Sequence, residues 1–527
     1  MASTGALILP VLSHSKAPSL ARAARLRASI VPVWVAAFML VVAMLVWPLA
    51  AGMVSVNDDA LYLRDGTLAE KIAYQWQQQL FRPLDILGGH LTHPVTMDAR
   101  RVIPLQTAAF ITALAGLGLV LRRLTPDWLL AYPIAVLWLC LHASTSVSLW
   151  QPDTISQSWS AALGVWLGIC LWHGLDHARA GRAPWRHTVG LAMLCFAGLF
   201  TKEVFYGWCA GGVLVVLIVI GAAWRRKHRG VTPRCLPLLL PLMLAPMLVF
   251  ALRWGAGGPE AKEGYTIGLG ANLVRNAALI GTGYFASVPI HLVRLSNGPW
   301  LLRGLAIIGI PLSALVSGLP WILNHRHGRP WANAPAGRTI AMIAALSLCG
   351  TAATLPMARN VSELYLFGPN IGAAVLVSIG LVGLVRLCRS HRRNTASQRW
   401  LAAGTIAAAL CIVGIGGLGL VSRANHFRIT WATATQLNET IRNHVAALPD
   451  NVRATRVVLG PRYRQGHVHS QYVIPPCATL LIDKNGRWQK EVAPGRRIIV
   501  VNEANAVRQE PYDLTLDGSD LPSRPGW

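Results

Sequence analysis

The side chains with the most capacity for chemistry sit in short polar segments between long apolar runs. Asp58-Asp59 follows the first apolar run in VSVNDDALYLRDGTLAEKIAYQWQQQLFRPLDILGGHL. Two adjacent carboxylates repel, so one of them holds its proton more tightly near a membrane boundary. A raised pKa suits a general base; the same pair also reads as a solvated turn. Arg82-Pro83 closes the polar part of this segment. A guanidinium near an interface can grip a phosphate with two parallel hydrogen bonds, or simply snorkel to lipid headgroups. Lys202-Glu203 lies among Phe200, Phe205, Tyr206 and Trp208. A Lys there can neutralise a phosphate, or the two can form a local interfacial ion pair; charge at such depth is costly, which brings the first reading level with the second. Asp153 in SLWQPDTISQSW can accept from a sugar hydroxyl or cap the helix that follows. Glu363 and Tyr365, with Arg359 in MARNVSELYLFGPN, either line a site or anchor an interface. His467, His469 and Cys477 match no standard metal spacing, and none of the nine cysteines forms a CxxC. No metal site is therefore expected, and whether a divalent metal takes part stays open.

These segments are held by an unusually apolar chain. Of its 527 residues, 53% are hydrophobic and 13% charged, and the mean hydropathy is +0.44. A soluble protein carries about 25% charged residues, so an all-α polytopic membrane protein is expected. Runs long enough to cross a bilayer fall near 31–52, 105–121, 128–145, 157–174, 187–201, 203–222, 236–253, 299–322, 339–356, 364–386 and 401–422, eleven spans in all. With residues 1–30 on the cytoplasmic side, the inner segments hold 22 Lys and Arg against two acids, Asp127 and Asp176. The outer segments of the membrane region hold 12 against 11. The positive-inside rule thus accounts for most of the net +26, and nucleic acid is not needed to explain it.

Residues 187–222 read as a hairpin, because both flanks are basic, with its outer turn at Thr201-Lys202-Glu203. Residues 270–295 read as an interfacial or re-entrant helix, since a full span there would put Arg326 outside. The first apolar run is longer than a signal-peptide core, so it reads as an uncleaved anchor. The expected organisation is a cytoplasmic segment 1–30, a membrane domain 31–422 with its first exterior loop at 53–104, and an extracytoplasmic domain 423–527 of α+β type. In that last region 429–447 reads as helical, and Arg456–Gly460, Ala478–Ile482 and Arg497–Val501 read as strands.

Eleven of the thirteen acids in the membrane region fall on the outer side, and none sits mid-span. That pattern suits an enzyme working at the outer surface on a lipid-borne substrate, although long outer loops would also collect acids. A proton-coupled carrier would place carboxylates at mid-membrane. A lipid-sugar transporter or flippase and a non-catalytic scaffold binding partners through its tail remain the alternatives.

Four pieces in order resemble the GT-C superfamily of polyprenyl-phosphate-sugar-dependent glycosyltransferases, nearest to protein O-mannosyltransferases and related bacterial membrane enzymes. They are the acidic pair Asp58-Asp59, Arg82-Pro83-Leu84, Lys202-Glu203, and the turn Glu363-Leu364-Tyr365. Tyr284 to Pro289 also looks like the family's outer interfacial helix. The likeness spans about residues 30–425. Relatives often carry Glu-Arg-Tyr at the late turn, where this chain has Leu364 in place of Arg. The resemblance implies that Asp58 deprotonates the acceptor hydroxyl, with Asp59 supporting it. It implies that Arg82 and Lys202 hold the donor phosphate, and that Asp153, Glu203, Glu363 and Tyr365 shape the donor or acceptor site. It further implies a polyprenyl-phosphate-linked sugar as donor, a protein, lipid or polysaccharide as acceptor, no required cofactor, and a bacterial inner (plasma) membrane location with the site and C-terminus extracytoplasmic.

Overall fold

The computed structural model describes residues 20–53, 67–77, 82–92, 102–150, 155–225, 230–255, 268, 270–285, 300–326, 349–350, 352–355, 366–390, 396–452, 454–459, 488–493, 496–502 and 511–516. In chain order the helices are α1 (Leu20–Ala50), α2 (Leu68–Gln77), α3 (Pro83–Thr92), α4 (Ile103–Leu124), α5 (Trp128–Leu141), α6 (Ala143–Trp150), α7 (Ile155–Arg179), α8 (Trp185–Thr201), α9 (Phe205–Arg225), α10 (Val231–Gly255), α11 (Ala271–Phe285), α12 (Trp300–Arg326), α13 (Phe367–Ser390) and α14 (Ala396–Ala446). A single helical turn, Ala352–Thr354, precedes α13. Four strands follow: β1 (Ala454–Leu459), β2 (Trp488–Ala493), β3 (Arg496–Asn502) and β4 (Leu514–Leu516).

Six of these helices are long and apolar enough to cross a membrane by length and composition, or seven if α5 and α6 count as one span bent by 68°. The chain is thus a helical, multi-pass membrane protein. Its outward surface agrees: Phe38 of α1, Met247 of α10 and Leu410 of α14 are all more than 60% exposed, an arrangement water would penalise and lipid would not. Four of the eleven spans read from sequence do not meet that test among the described residues. Helix α7 is 25 residues long but carries buried Ser156, Gln157, Ser158 and Ser160, so its polar groups face protein. Helix α8 has only 17 residues. Most of 339–356 lies outside the described residues. Helix α12, over the expected 299–322, counts only as a shorter apolar helix, Ile307–Leu319. The span 401–422 does meet the test, and with the expected helix 429–447 it forms one unbroken helix of 51 residues, α14.

Prolines and tryptophans tie the first helices together. Pro48 inside α1 cannot donate to the Met44 carbonyl four residues earlier. The Trp150 indole Nε1 of α6 donates to that carbonyl instead, at 2.9 Å. Pro133 of α5 likewise leaves the Leu129 carbonyl without its helical partner, and Trp34 Nε1 of α1 donates to it at 2.8 Å. Each proline frees an acceptor that a neighbouring helix uses for docking, so no buried carbonyl at these positions is left unsatisfied.

Two apolar clusters result. One joins α1, α4, α5, α6, α13 and α14 around Phe110, Leu139, Trp150 and Phe367. The other joins α7 to α10 around Leu167, Leu199, Phe205 and Leu242. Helix α7 belongs to both, through Ala161, Ala162 and Val165 on one side and Leu167, Leu171 and Leu175 on the other.

The two ends of the bundle differ in charge. At one end Asp127 pairs with Arg386 and Asp176 with Arg123, which gathers the end of α4, the start of α5 and the ends of α7 and α13. Asp127 and Asp176 are the two acids that the charge pattern assigns to the arginine-rich side. At the opposite end lie the turn between α8 and α9, the start of α3 and the end of α10. Helix α11, in the stretch expected to lie at the interface, docks at Asn276, whose amide Nδ2 donates to the Leu355 carbonyl at 2.9 Å.

The tail strands form one sheet in the order β2-β3-β1-β4. Strand β1 runs parallel to both β3 and β4, while β2 and β3 pair antiparallel. Arg456 of β1 holds the buried Asp513 carboxylate with two hydrogen bonds of 2.9 and 2.6 Å, and His444 near the end of α14 contacts the Tyr512 carbonyl at 3.0 Å. Strands β1 and β3 fall where strands were expected; residues 478–482 lie outside the described residues.

Glycines set the closest approaches beside the α8–α9 turn. A Cβ on Gly207 would lie 1.9 Å from the Cys349 carbonyl oxygen, a backbone atom that cannot swing away. Nothing lies within 4 Å of a Cβ at Gly404 in α14. Gly207→Ala is expected to destabilise the protein by about 1–3 kcal/mol through overpacking. Gly404→Ala should be neutral or stabilising by up to about 1 kcal/mol from helix propensity. Thermal unfolding of both variants in detergent checks the contrast, and equal effects would remove the close-approach account.

Candidate functional site

The end of the bundle opposite the arginine-rich one holds a cluster of charged side chains drawn from three distant parts of the chain. Arg82 lies just before α3, where the Ile86 N–H donates to its carbonyl at 3.1 Å and so starts the helix. Helix α3 packs against α7 and α8, which carries the Arg82 guanidinium to the α8–α9 turn. That turn is short because Gly198 admits Phe205: a Cβ there would meet the ring at 2.4 Å. Lys202 caps α8 in an extended conformation, its N–H donating to Gly198, and the Phe205 and Tyr206 N–H groups donate to the carbonyls of Lys202 and Glu203.

Glu203 is the centre of the cluster. Arg82 Nε donates to its Oε1 at 2.7 Å, and Arg82 Nη2 lies 2.6 Å from its Oε2. Arg253, from the last turn of α10, brings Nη2 to 3.3 Å from the same Oε1. The same Arg253 nitrogen donates to the Leu199 carbonyl at 3.3 Å, and the guanidinium lies 5.6 Å over the Tyr206 ring. The fork contact to Arg82 is the strong, bidentate geometry of a guanidinium and a carboxylate. Burial alone would push the Glu203 carboxyl up; the guanidinium groups of Arg82 and Arg253 outweigh it and hold it down at about 2.

Two further groups complete the arrangement. Asp85, in the first turn of α3, is buried, with its carboxylate 3.9 Å from Arg82 Nη1. Lys202 is also buried, and its Nζ donates to Ser156 Oγ at 3.4 Å at the start of α7. Two guanidinium groups thus converge on Glu203, with Asp85 beside Arg82 and Lys202 next to Glu203 in the same turn. Paired guanidinium groups at the mouth of an apolar bundle suit an anion with several acceptor oxygens.

A buried polar seam lies deeper, at the break between α5 and α6. His142 Nδ1 accepts from the Ser144 N–H at 3.2 Å and from Asn370 Nδ2 at 2.7 Å. Its Nε2 therefore carries the proton and donates to the Gly283 carbonyl of α11 at 3.0 Å. Arg423 of α14 donates to Ser146 Oγ at 2.6 Å and to the Leu141 carbonyl at 3.0 Å. Ser158 Oγ and Gln106 Nε2 both donate to the Ser148 carbonyl.

Of the residues singled out from sequence, Arg82, Lys202 and Glu203 come together. Asp58, Asp59, Asp153, Glu363 and Tyr365 lie outside the described residues, as do His467, His469 and Cys477. Among the described residues no group of three or more His, Cys, Asp or Glu side chains could hold a metal. The sequence reading missed Arg253 and Asp85 as site residues. Arg253 is the single base ending the apolar stretch 236–252, a signal that reads as snorkelling; Asp85 reads only as one outer acid among many. No protein-family model matches the chain, and no curated protein matches it.

The Glu203 pairing carries a pH signature. Its carboxyl is depressed from 4.5 to about 2 in the folded state, so the pairing contributes stability that is fully present above pH 4.5. That stability is lost as the pH falls toward 2. Wild type should unfold at a higher temperature than Glu203→Gln at pH 7, by a margin that holds down to about pH 4.5 and then shrinks. Unfolding curves of the two proteins between pH 7 and 2.5 measure it; a margin still undiminished at pH 2.5 would show that Glu203 is not held by its guanidinium partners.

Proposed function

We propose that this chain is an eleven-span integral membrane glycosyltransferase. It moves a monosaccharide from a polyprenyl-phosphate donor to a protein, lipid or polysaccharide acceptor at the extracytoplasmic face of a bacterial inner membrane. Residues 423–527 form its small α+β domain on the same side. The observation that carries this reading is the convergence of Arg82, Lys202, Glu203 and Arg253 at one end of the bundle, which joins two of the four motifs that resemble the GT-C superfamily. The two guanidinium groups at that mouth fit a lipid phosphate.

The chemistry is a displacement at the anomeric carbon. The acceptor oxygen bonds to C1 as the bond from C1 to the phosphate oxygen breaks. Asp58 takes the acceptor proton, with Asp59 beside it. Polyprenyl phosphate leaves with both electrons of the broken bond, and its headgroup passes from one negative charge to two. Charge grows on the leaving phosphate, so fixed cations there lower the barrier more than they strengthen donor binding. Arg82, Lys202 and Arg253 are the cations this mouth offers. Asp153, Glu363 and Tyr365 shape the donor or acceptor pockets on the strength of the resemblance. The scheme needs no metal.

A second reading, a lipid-linked sugar transporter, draws on the buried polar seam through His142, Asn370 and Arg423, since polar groups inside an apolar bundle often line a path. The two readings part on whether a covalent product forms. Purified wild type and Asp58→Asn, given radiolabelled polyprenyl-phosphate sugars and an acceptor pool from membranes, are expected to differ in transfer by about 10²-fold or more with the fold intact. Equal transfer by the two proteins would remove Asp58 as the base. Movement of label across sealed vesicles without any new glycosylated product would decide for the transporter.

A further inference from the structure

The Glu203 carboxylate does to Arg82 and Arg253 what a phosphate would do. One oxygen, Oε1, is shared between Arg82 Nε at 2.7 Å and Arg253 Nη2 at 3.3 Å, while Oε2 takes Arg82 Nη2 at 2.6 Å. This is the fork geometry by which guanidinium groups recognise tetrahedral oxyanions as well as carboxylates. We infer that Glu203 occupies an anion subsite between Arg82 and Arg253, and that the phosphate monoester of a lipid displaces it on binding. The identity of the ligand rests on the transferase reading; the displacement does not.

Four features separate an exchangeable occupant from a fixed structural pair. The contact lies at the mouth: the Glu203 side chain is 31% exposed and that of Arg82 22%, so a displaced carboxylate reaches water. Glu203 sits in the short turn between α8 and α9, so its side chain can swing out by rotation alone while both helices stay in place. The Tyr206 hydroxyl is buried under Arg253 with no hydrogen-bond partner among the described residues. It is a donor the carboxylate does not use, and a phosphate has a third terminal oxygen to accept it. Finally, a phosphate monoester carries close to two negative charges at neutral pH where a carboxylate carries one, so it competes well for two guanidinium groups.

A proton does not open the clamp at ordinary pH, because the carboxyl is held well below neutral by the two arginines. A competing anion must do so. Glu203 thereby weakens the hold on the spent lipid phosphate and returns to the arginines as that product leaves. It acts on release through the cations, as a positioning residue.

The test is direct binding to the full-length protein in lipid nanodiscs. The probes are polyprenyl monophosphate, uncharged polyprenol and inorganic phosphate. Glu203→Gln should bind polyprenyl monophosphate about tenfold tighter than wild type, the scale of removing one like charge beside an anion near a protein surface. Glu203→Asp, whose shorter side chain cannot span both arginines, should fall between and guards against a folding defect in the first variant. Glu70→Gln removes one negative charge at the start of α2, where the Glu70 carboxylate accepts from the Thr67 N–H, and should bind as wild type does. Polyprenol should bind all four proteins alike. Unchanged or weaker monophosphate binding by both Glu203 variants overturns the inference, as does an equal gain in Glu70→Gln. A gain for inorganic phosphate alone supports the clamp but assigns it to a free anion. If no protein transfers sugar from any donor while Glu203→Gln still gains affinity, the transferase reading falls and the anion subsite stands.

Discussion

One carboxylate between two guanidinium groups fixes the geometry of an entire end of this molecule. Glu203 takes its partners from Arg82, 121 residues before it, and from Arg253 in the last turn of α10. In a bundle whose flanks are lipid-like, each of these charges would be expensive alone. Together they draw the start of α3, the turn between α8 and α9, and the end of α10 to one point. The same constraint explains the turn. Gly198 lets Phe205 pack close enough to keep three residues between two helices, and this shortness holds Glu203 within reach of both arginines.

The polar seam obeys a related rule at greater depth. Helices α5 and α6 break at His142, and a break exposes backbone groups that an apolar interior cannot satisfy. His142, Asn370, Ser146 and Arg423 take up the groups around that break. Arg423 donates to the Leu141 carbonyl at the end of α5. The prolines solve the same difficulty with tryptophans. Pro48 and Pro133 each release a carbonyl, and Trp150 and Trp34 from facing helices bind them. The helices therefore pair through specific acceptors as well as through apolar area, which tends to favour one arrangement over its near alternatives.

What the sequence made legible was whatever depends on local composition. The α8–α9 hairpin followed from basic residues on both flanks, and its turn from Lys202-Glu203. Strands β1 and β3 followed from short β-branched runs, and α11 from a charge pattern that forbade a full span. What stayed hidden depends on direction or distance. Hydropathy averages all faces of a helix, so it cannot tell that Ser156, Gln157, Ser158 and Ser160 of α7 point into protein. Arg253 and Asp85 have no local feature that marks them; only the fold brings them to Arg82 and Glu203. The continuity of α14 was obscured because its apolar stretch ends near residue 422 while its helical propensity does not.

That continuity constrains the tail. A helix of 51 residues is about 76 Å long at 1.5 Å per residue, against about 30 Å of hydrocarbon. Roughly half of α14 must therefore project beyond the apolar layer. Its apolar stretch, Arg399–Ile429, begins near the arginine-rich end, so the projecting half emerges at the other. Arg423 fixes the exit, because its bonds to Ser146 and the Leu141 carbonyl hold α14 against α6. Phe427 and Trp431 pack there too, with the Phe427 ring 5.7 Å from that of Trp150. The projecting half reaches the sheet without a break, and His444 meets the Tyr512 carbonyl at its far end. With no break in the helix between Arg423 and the sheet, the direction of α14 bears on where the sheet lies. One helix thus carries both the Arg423 contacts beside His142 and, at its far end, the contact with the sheet.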